Sequence, residues 1–218
     1  MGFLRIFKKY VVKVVKKHTP RQSVPIKLVD VLNQITTEVI EKLEFFKQLS
    51  INEKHKFFLE LLFMNLAIVM WWVGFYNRDN PQQAKKINSS LLDCFKEGAE
   101  QKSVRIGDFI TSEELTYVRH MLPNLEDITE NTKVDVKLLL EFLYNLRINQ
   151  YLSVIDERME LVARKRTPSL DPVIKTFIKF FSGEDDITKY VDLALELTII
   201  YIPLHMGLGK EIEKILAS

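Results

Sequence analysis

Apolar residues recur along this chain at three- and four-residue steps, the period of helices that bury one face. Leu28, Val31, Leu32, Ile35, Val39, Leu43 and Phe46 form one such stripe and predict a helix over residues 26–48. In "SINE", Ser50 and Glu53 have the spacing of a capping box: the serine side chain accepts from the third amide while the glutamate reaches back to the serine amide. That pattern starts a helix running to Tyr76, where "NRDNP" stops it. Pro81, at a permitted first-turn position, opens the next helix over 81–102, with Ile87, Leu91, Cys94 and Phe95 as its stripe. "TSEE" begins a short helix that ends before Pro123.

Leu140, Tyr144, Ile148, Leu152, Ile155, Met159 and Val162 keep register over 132–165. At 1.5 Å per residue this helix would be about 50 Å long, the spine of the fold, with "NQ" at 149–150 as a place where it could break. Two more helices are predicted over 172–181 and 184–206, the second with acids in its first turn, which suit the helix dipole. Pro203 should kink or end it, and a short helix should restart near Gly209. The expected fold is all-α: a multi-helix bundle of about seven to nine helices, with one long central helix and a basic amphipathic N-terminal helix. Residues 1–24 are expected to form an arm and linker, and residues 25–218 a single helical domain. The seven glycines are few for this length, as a helical fold requires, and 47% apolar residues supply a core.

Two windows are more apolar than a stripe. "FFLELLFMNLAIVMWWVGFY" (57–76) has the length of a membrane span. It contains Glu60 and Asn65, and an acid at mid-span costs about 3 kcal/mol on insertion scales. A helix apolar all round is equally expected at the centre of a large bundle, and this is the reading adopted. "LTIIYIPLHMGL" (197–208) is too short to span. Two such helices, imperfectly packed, would wall a chamber for an acyl chain or isoprenoid, lined by Phe63, Ala67, Met70, Trp71, Ile200 and Leu204. Ordinary core packing is the competing reading.

Charge changes the picture at the N-terminus. Arg5, Lys8, Lys9, Lys13, Lys16, Lys17, Arg21 and Lys27 precede the first acid, Asp30, which leaves 23 cations against 29 acids in the remainder. On a helical wheel Phe3, Leu4, Phe7, Tyr10, Val11, Val14 and Val15 cover one half, and the cations through Lys17 cover the other. These are the features of a helix lying on anionic lipid, so Phe3, Leu4, Arg5, Phe7, Lys8, Lys9, Tyr10, Lys13, Lys16 and Lys17 are the expected membrane contacts. Docking of this helix on the acidic body or on an acidic protein surface is the alternative. Ile6 stands where a myristoylation signal has Ser or Thr, and lysines interrupt every apolar run a secretory signal would need. Lysine and valine outnumber the arginine and serine typical of an organelle presequence, although organelle targeting stays open. Only the arm is basic, which argues against a nucleic-acid surface.

Candidate chemistry is sparse. The single cysteine, Cys94, excludes an internal disulfide and reads as a small core residue. His18, His55, His120 and His205 have no metal-ligand spacing, and His205 reads as a core or helix-end residue. "GLGK" at 207–210 lacks the upstream glycine and following hydroxyl of a phosphate loop. Asp192 and Glu196 share a helical face, as do Glu38 and Lys42, and both pairs read as solvated. No cofactor is implied. The plan of a basic N-terminal helix ahead of an apolar helical body resembles the lipid-binding helical cylinders of the TIPE family, with no motif that carries a residue across. The expectation is a non-enzymatic, intracellular helical protein at a membrane surface, with an apolar ligand in its core as an added option; a soluble scaffold or regulatory subunit is the alternative.

Overall fold

Helix α1 (Val24–Lys42) starts behind Ser23 with Pro25 in its first turn, where an amide would have no intrahelical partner. A computed structural model of the chain describes residues 23–97, 103–121, 127–165, 171–184 and 187–218. Residues 1–22, which hold the basic N-terminal helix expected within the arm, lie outside the described residues. Leu43 is extended (φ −81°, ψ 112°) and separates α1 from the short α2 (Glu44–Gln48), so the helix expected over 26–48 is two helices. The break turns both Leu43 and Phe46 into the core. It also gives the start of α2 an acidic partner, because Glu196 Oε2 accepts from the Phe45 amide at 3.3 Å.

Helix α3 (Ile51–Tyr76) has the predicted capping box: Glu53 accepts from the Ser50 amide at 2.8 Å and Ser50 Oγ from the Glu53 amide at 3.4 Å. Every residue from Phe57 to Met70 is buried, whichever way it points. Helix α4 (Pro81–Glu97) follows. The "SVRIGDFI" connection contains an element too short to show a two-residue period: β1 (Ser103–Arg105) pairs antiparallel with β2 (Lys133–Asp135), Val104 opposite Val134. This ribbon brackets α5 (Ser112–Met121).

Asp135 caps α6 (Val136–Ala163) by accepting from the Lys137 amide. Its 28 residues run unbroken for about 42 Å, straight past the "NQ" at 149–150. The long central helix is therefore present, and it packs most extensively against α3. Its first half is buried on several faces, through Leu139, Leu140, Phe142, Leu143, Leu146 and Ile148, while Val162 near its end is exposed. Helix α7 (Pro172–Ser182) is capped by Asp171 and closed by Gly183, whose φ of 75° suits glycine. Phe57 meets Phe177 and Phe181 edge-on at 4.9 and 5.1 Å, tying α3 to α7.

A 3-10 turn (Thr188–Tyr190) leads into α8 (Val191–Leu216), which runs through Pro203 as one helix. Neither the end at Pro203 nor the restart at Gly209 occurs. Pro203 is exposed, and the carbonyl its missing amide leaves free belongs to Ile199, itself 72% exposed, so no buried acceptor is orphaned. Gly209 is buried within the helix because Trp72 lies against it; a Cβ there would come within 2.9 Å of the indole. Eight α-helices among the described residues and one two-stranded ribbon make this an all-α bundle.

The helices have a clear axial order. Lys27 Nζ donates to Ser218 Oγ at 2.6 Å and the Phe45 amide to Glu196, so α1 and α8 are antiparallel. Asn65 meets Tyr201 and Trp72 meets His205, so α3 and α8 are parallel. The start of α1, the end of α3 and the end of α8 therefore lie together at one end of the bundle.

Candidate functional site

Glu60 and Asn65, the two residues hardest to place in hydrocarbon, are both engaged inside the body. Tyr151 hydroxyl donates to Glu60 Oε1 at 2.7 Å and Arg147 Nε to Glu60 Oε2 at 3.1 Å. Arg147 Nη1 also bonds Glu114 Oε1. Glu114 is already the third residue of α5's capping box, accepting from the Thr111 amide at 2.9 Å, so one carboxylate joins the start of α5 to α6. The Arg147 guanidinium lies 4.1 Å from the centre of the Phe180 ring, which brings in α7. Burial opposes charge on Arg147, but Glu60 and Glu114 outweigh it and raise its pKa, so it stays protonated. Burial also raises the Glu60 pKa, against the pull of Arg147 and Tyr151. On Glu114 the same effect is overcome by Arg147 and Thr111, and its pKa falls. A guanidinium that cannot lose its proton, held by two carboxylates away from solvent, is a structural tie rather than a proton relay.

Asn65 makes the second polar node. Its Nδ2 donates to Thr36 Oγ1 at 2.9 Å, and its Oδ1 accepts from Tyr201 hydroxyl at 2.5 Å. One side chain thereby joins α1, α3 and α8. Two helices among the described residues are long and apolar enough to cross a membrane, Ile51–Tyr76 and Thr188–Leu216. Inside the body, 83% of the first one's apolar window is buried but only 38% of the second's. The first is a core helix; the second carries an outward apolar face, with Val191 49%, Leu195 57% and Ile199 72% exposed at four-residue steps.

At the end of the bundle where the arm joins, α3 finishes in an aromatic cluster. Trp71 stacks on Phe75 at 5.4 Å and Trp72 on Tyr76 at 5.5 Å, with the two indoles edge-on. Phe75 is 43% exposed, with the Arg78 guanidinium 5.9 Å from its ring centre. Trp71 Nε1 donates to Asp156 at 2.7 Å. Trp72 faces His205, and neither Trp72 Nε1 nor His205 Nε2 has a hydrogen-bond partner although both are buried. Burial, assisted by the Arg158 cation, holds the His205 pKa down to about 4. Burial and then Glu213 raise the Tyr76 pKa, in keeping with the closeness of the ends of α3 and α8.

Of the residues expected to line an apolar chamber, Phe63 meets Phe95 of α4 edge-on and Trp71 bonds Asp156 of α6. Phe63, Ala67 and Met70 are buried, and Trp71, Ile200 and Leu204 are half-buried. Ala67 is wholly enclosed, so Ala67→Phe should lower stability by about 1–3 kcal/mol through overpacking. Urea unfolding followed by circular dichroism measures this, and an unchanged midpoint would reveal free space at that position. Elsewhere, a groove of 190 Å³ between α5 and α6, lined by Tyr117, Leu138 and Phe142 among others, is below the usual size of a small-molecule pocket. The expected membrane contacts, Phe3 to Lys17, lie outside the described residues. Burial, then Glu97 and Asp93, raises the Cys94 thiol pKa, as suits an unreactive packing residue. Among the described residues no group of three or more His, Cys, Asp or Glu is placed to hold a metal ion.

Sequence reasoning singled out Glu60 but not its partners. The signal for Arg147 was a cation inside the apolar register "LLLEFLYNLRINQYL", a place where an unpaired charge cannot sit. The class the fold defines is an all-α bundle with a buried ionic tie. No protein family, curated protein or solved structure matches the chain.

Proposed function

We propose that this chain is a non-enzymatic helical protein that associates with anionic membrane surfaces through its N-terminal helix. The observation that carries the reading is the shared address of two features. The arm, with seven cations and no acid, joins the body at Ser23, and Lys27 there bonds Ser218. Trp71, Trp72, Phe75 and Tyr76 cluster at that same end, with Phe75 exposed and Arg78 beside it. Aromatic side chains with one polar edge are the residues favoured at headgroup depth, and each nearby cation adds about 1 kcal/mol on an anionic surface. A bundle resting on this end would bring the arm and the aromatic cluster to lipid together.

Flotation of the full-length chain with phosphatidylserine vesicles tests the reading. Lys8→Gln/Lys9→Gln removes two cations and should weaken partitioning about thirtyfold, the equivalent of about 2 kcal/mol. Equal partitioning of variant and wild type, or none by either, rejects it.

A second reading, an apolar ligand between α3 and α8, draws on one specific observation. Trp72 Nε1 and His205 Nε2 are buried together without hydrogen bonds, beside the half-buried Leu204. A hydroxyl or carboxyl at the head of an apolar molecule would serve both. The ligand would then sit toward the His205 end of the junction rather than at Ala67. Native mass spectrometry of the purified chain decides this.

A further inference from the structure

We infer that, away from a membrane, the apolar face of residues 3–17 docks on the outward face of α8, over Leu195 and Ile199. The inference rests on the same reading of residues 3–17 as an amphipathic helix that the membrane proposal uses, but not on any affinity for lipid. Three large side chains at four-residue steps, 49%, 57% and 72% exposed, make a continuous apolar stripe along a helix whose other face is core. Such a stripe is costly to leave in water and marks a contact surface.

The occupant follows from where the chain enters. Lys27 bonds Ser218, so the arm reaches the body beside the C-terminal end of α8. Ile199 lies about 29 Å back along α8 and Leu195 about 35 Å, at 1.5 Å per residue. The linker residues 18–22 span at most about 17 Å extended, and a helix over 3–17 adds about 22 Å. The arm is thus just long enough to bring Phe3 and Phe7 over Leu195 and Ile199 by folding back along α8.

Charge favours the same placement. Asp192, which is exposed, and Glu196 flank the stripe on one side. On the helical wheel Lys8 and Lys17 border the arm's apolar half, where their long stems reach acids beside the stripe, and the arm has no acid of its own. The nearby cation, Lys189, is paired with Glu184 at 3.0 Å. A valine-rich helix is weak alone in water, so a partner face would also stabilise its fold. The berth on α8 and the anionic bilayer then compete for one apolar face, and covering the arm lowers its apparent affinity for lipid.

The test uses the full chain in a Cys94→Ser background without lipid. Phe3→Cys, Phe7→Cys and Val11→Cys are each combined with Leu195→Cys, and in control pairs with Tyr117→Cys, an exposed position on α5. Under mild oxidation, at least one Leu195 pair should form an intramolecular disulfide about tenfold faster than its control. In parallel, Leu195→Glu/Ile199→Glu, both at exposed positions, should speed tryptic cleavage within residues 5–17 about tenfold at unchanged melting temperature. The same variant should also bind anionic vesicles several-fold better than wild type. Cross-linking no faster than the controls, a dimeric product instead of an intramolecular one, or unchanged tryptic cleavage overturns the docking. If neither wild type nor the glutamate variant floats, the membrane proposal fails while the lipid-free cross-link still decides the docking.

Discussion

Arg147→Met should destabilise the bundle by about 3–5 kcal/mol at pH 7, the usual cost of removing one partner from a buried ion pair. Methionine keeps most of the volume and can still lie against Phe180, so little of the loss is a cavity effect. What remains is Glu60, fully enclosed and bonded by Tyr151 alone, with Glu114 close by. The two carboxylates that shared the guanidinium then repel each other, with Lys56 the nearby cation left to offset them, and Glu60 answers by holding a proton. The sign of the pH dependence follows. A carboxyl whose folded pKa lies above its unfolded value of about 4.5 weakens the fold increasingly as pH rises past that value. The deficit of the variant should therefore shrink when both proteins are compared near pH 4.5. Urea unfolding at pH 7 and at pH 4.5 measures both effects. The double variant Glu60→Gln/Arg147→Met should lose less than the two single losses added, because its second change removes a charge already left unpaired. A deficit below about 1 kcal/mol at pH 7 would mean that water reaches the tie.

The contrast between Arg147 and the rest of α6 shows where the sequence was legible. The periods that placed α1, α4 and α6 are local, and so is the Ser50–Glu53 box that starts α3; each can be recognised within a few turns of chain. Partners such as Glu60 with Arg147, 87 positions apart, and Asn65 with Tyr201, 136 apart, are fixed only by packing. The apolar run of 57–76 showed that Glu60 and Asn65 needed partners, but nothing local said which. Leu43 illustrates a different limit. Its place in the 3.6-residue stripe was right and its burial complete, yet the backbone leaves the helix there, and the stripe, which continues across the break, does not mark it.

The stop expected at Pro203 and the restart at Gly209 fail for a tertiary reason. Local rules stop a helix at both, but Tyr201 is bonded to Asn65 on one side and Ile212 is buried on the other, so packing holds α8 together through them. The glycine proves to be a contact residue, lying where the Trp72 indole needs room. The candidate membrane and docking surfaces divide similarly. The arm's two faces were plain in the sequence, whereas the exposure of Val191, Leu195 and Ile199 depends on which side of α8 meets α1, α3 and α7.

Lowering the pH from 6.5 to 4 should weaken the wild-type fold by about 3 kcal/mol through His205 alone. In the unfolded chain this imidazole titrates near 6.5; in the folded one its pKa is about 4. Burial against Trp72 is the main cause, and the Arg158 cation, itself bonded to Asp171 at 2.9 Å, adds to it. Between those two values the unfolded state binds a proton that the folded state refuses, so each pH unit of acidification favours unfolding by at most about 1.4 kcal/mol. Above about pH 6.5 both states are neutral and His205 contributes no pH dependence; below about 4 both are charged and the loss is complete. Carboxylates titrate in the lower part of the same window, so the wild-type curve alone does not isolate the histidine. The stability of wild type minus that of His205→Gln does, because glutamine keeps a polar end in the same place without titrating. That difference should fall by about 3 kcal/mol between pH 7 and pH 4. A flat difference, or a His205 ring resonance titrating near 6.5 in the folded chain, would show that the imidazole is solvated and that α3 and α8 do not close over it. His205 lies at the aromatic end of the bundle, so the same protonation would loosen the α3–α8 junction where Trp72, Tyr76 and the entry of the arm meet.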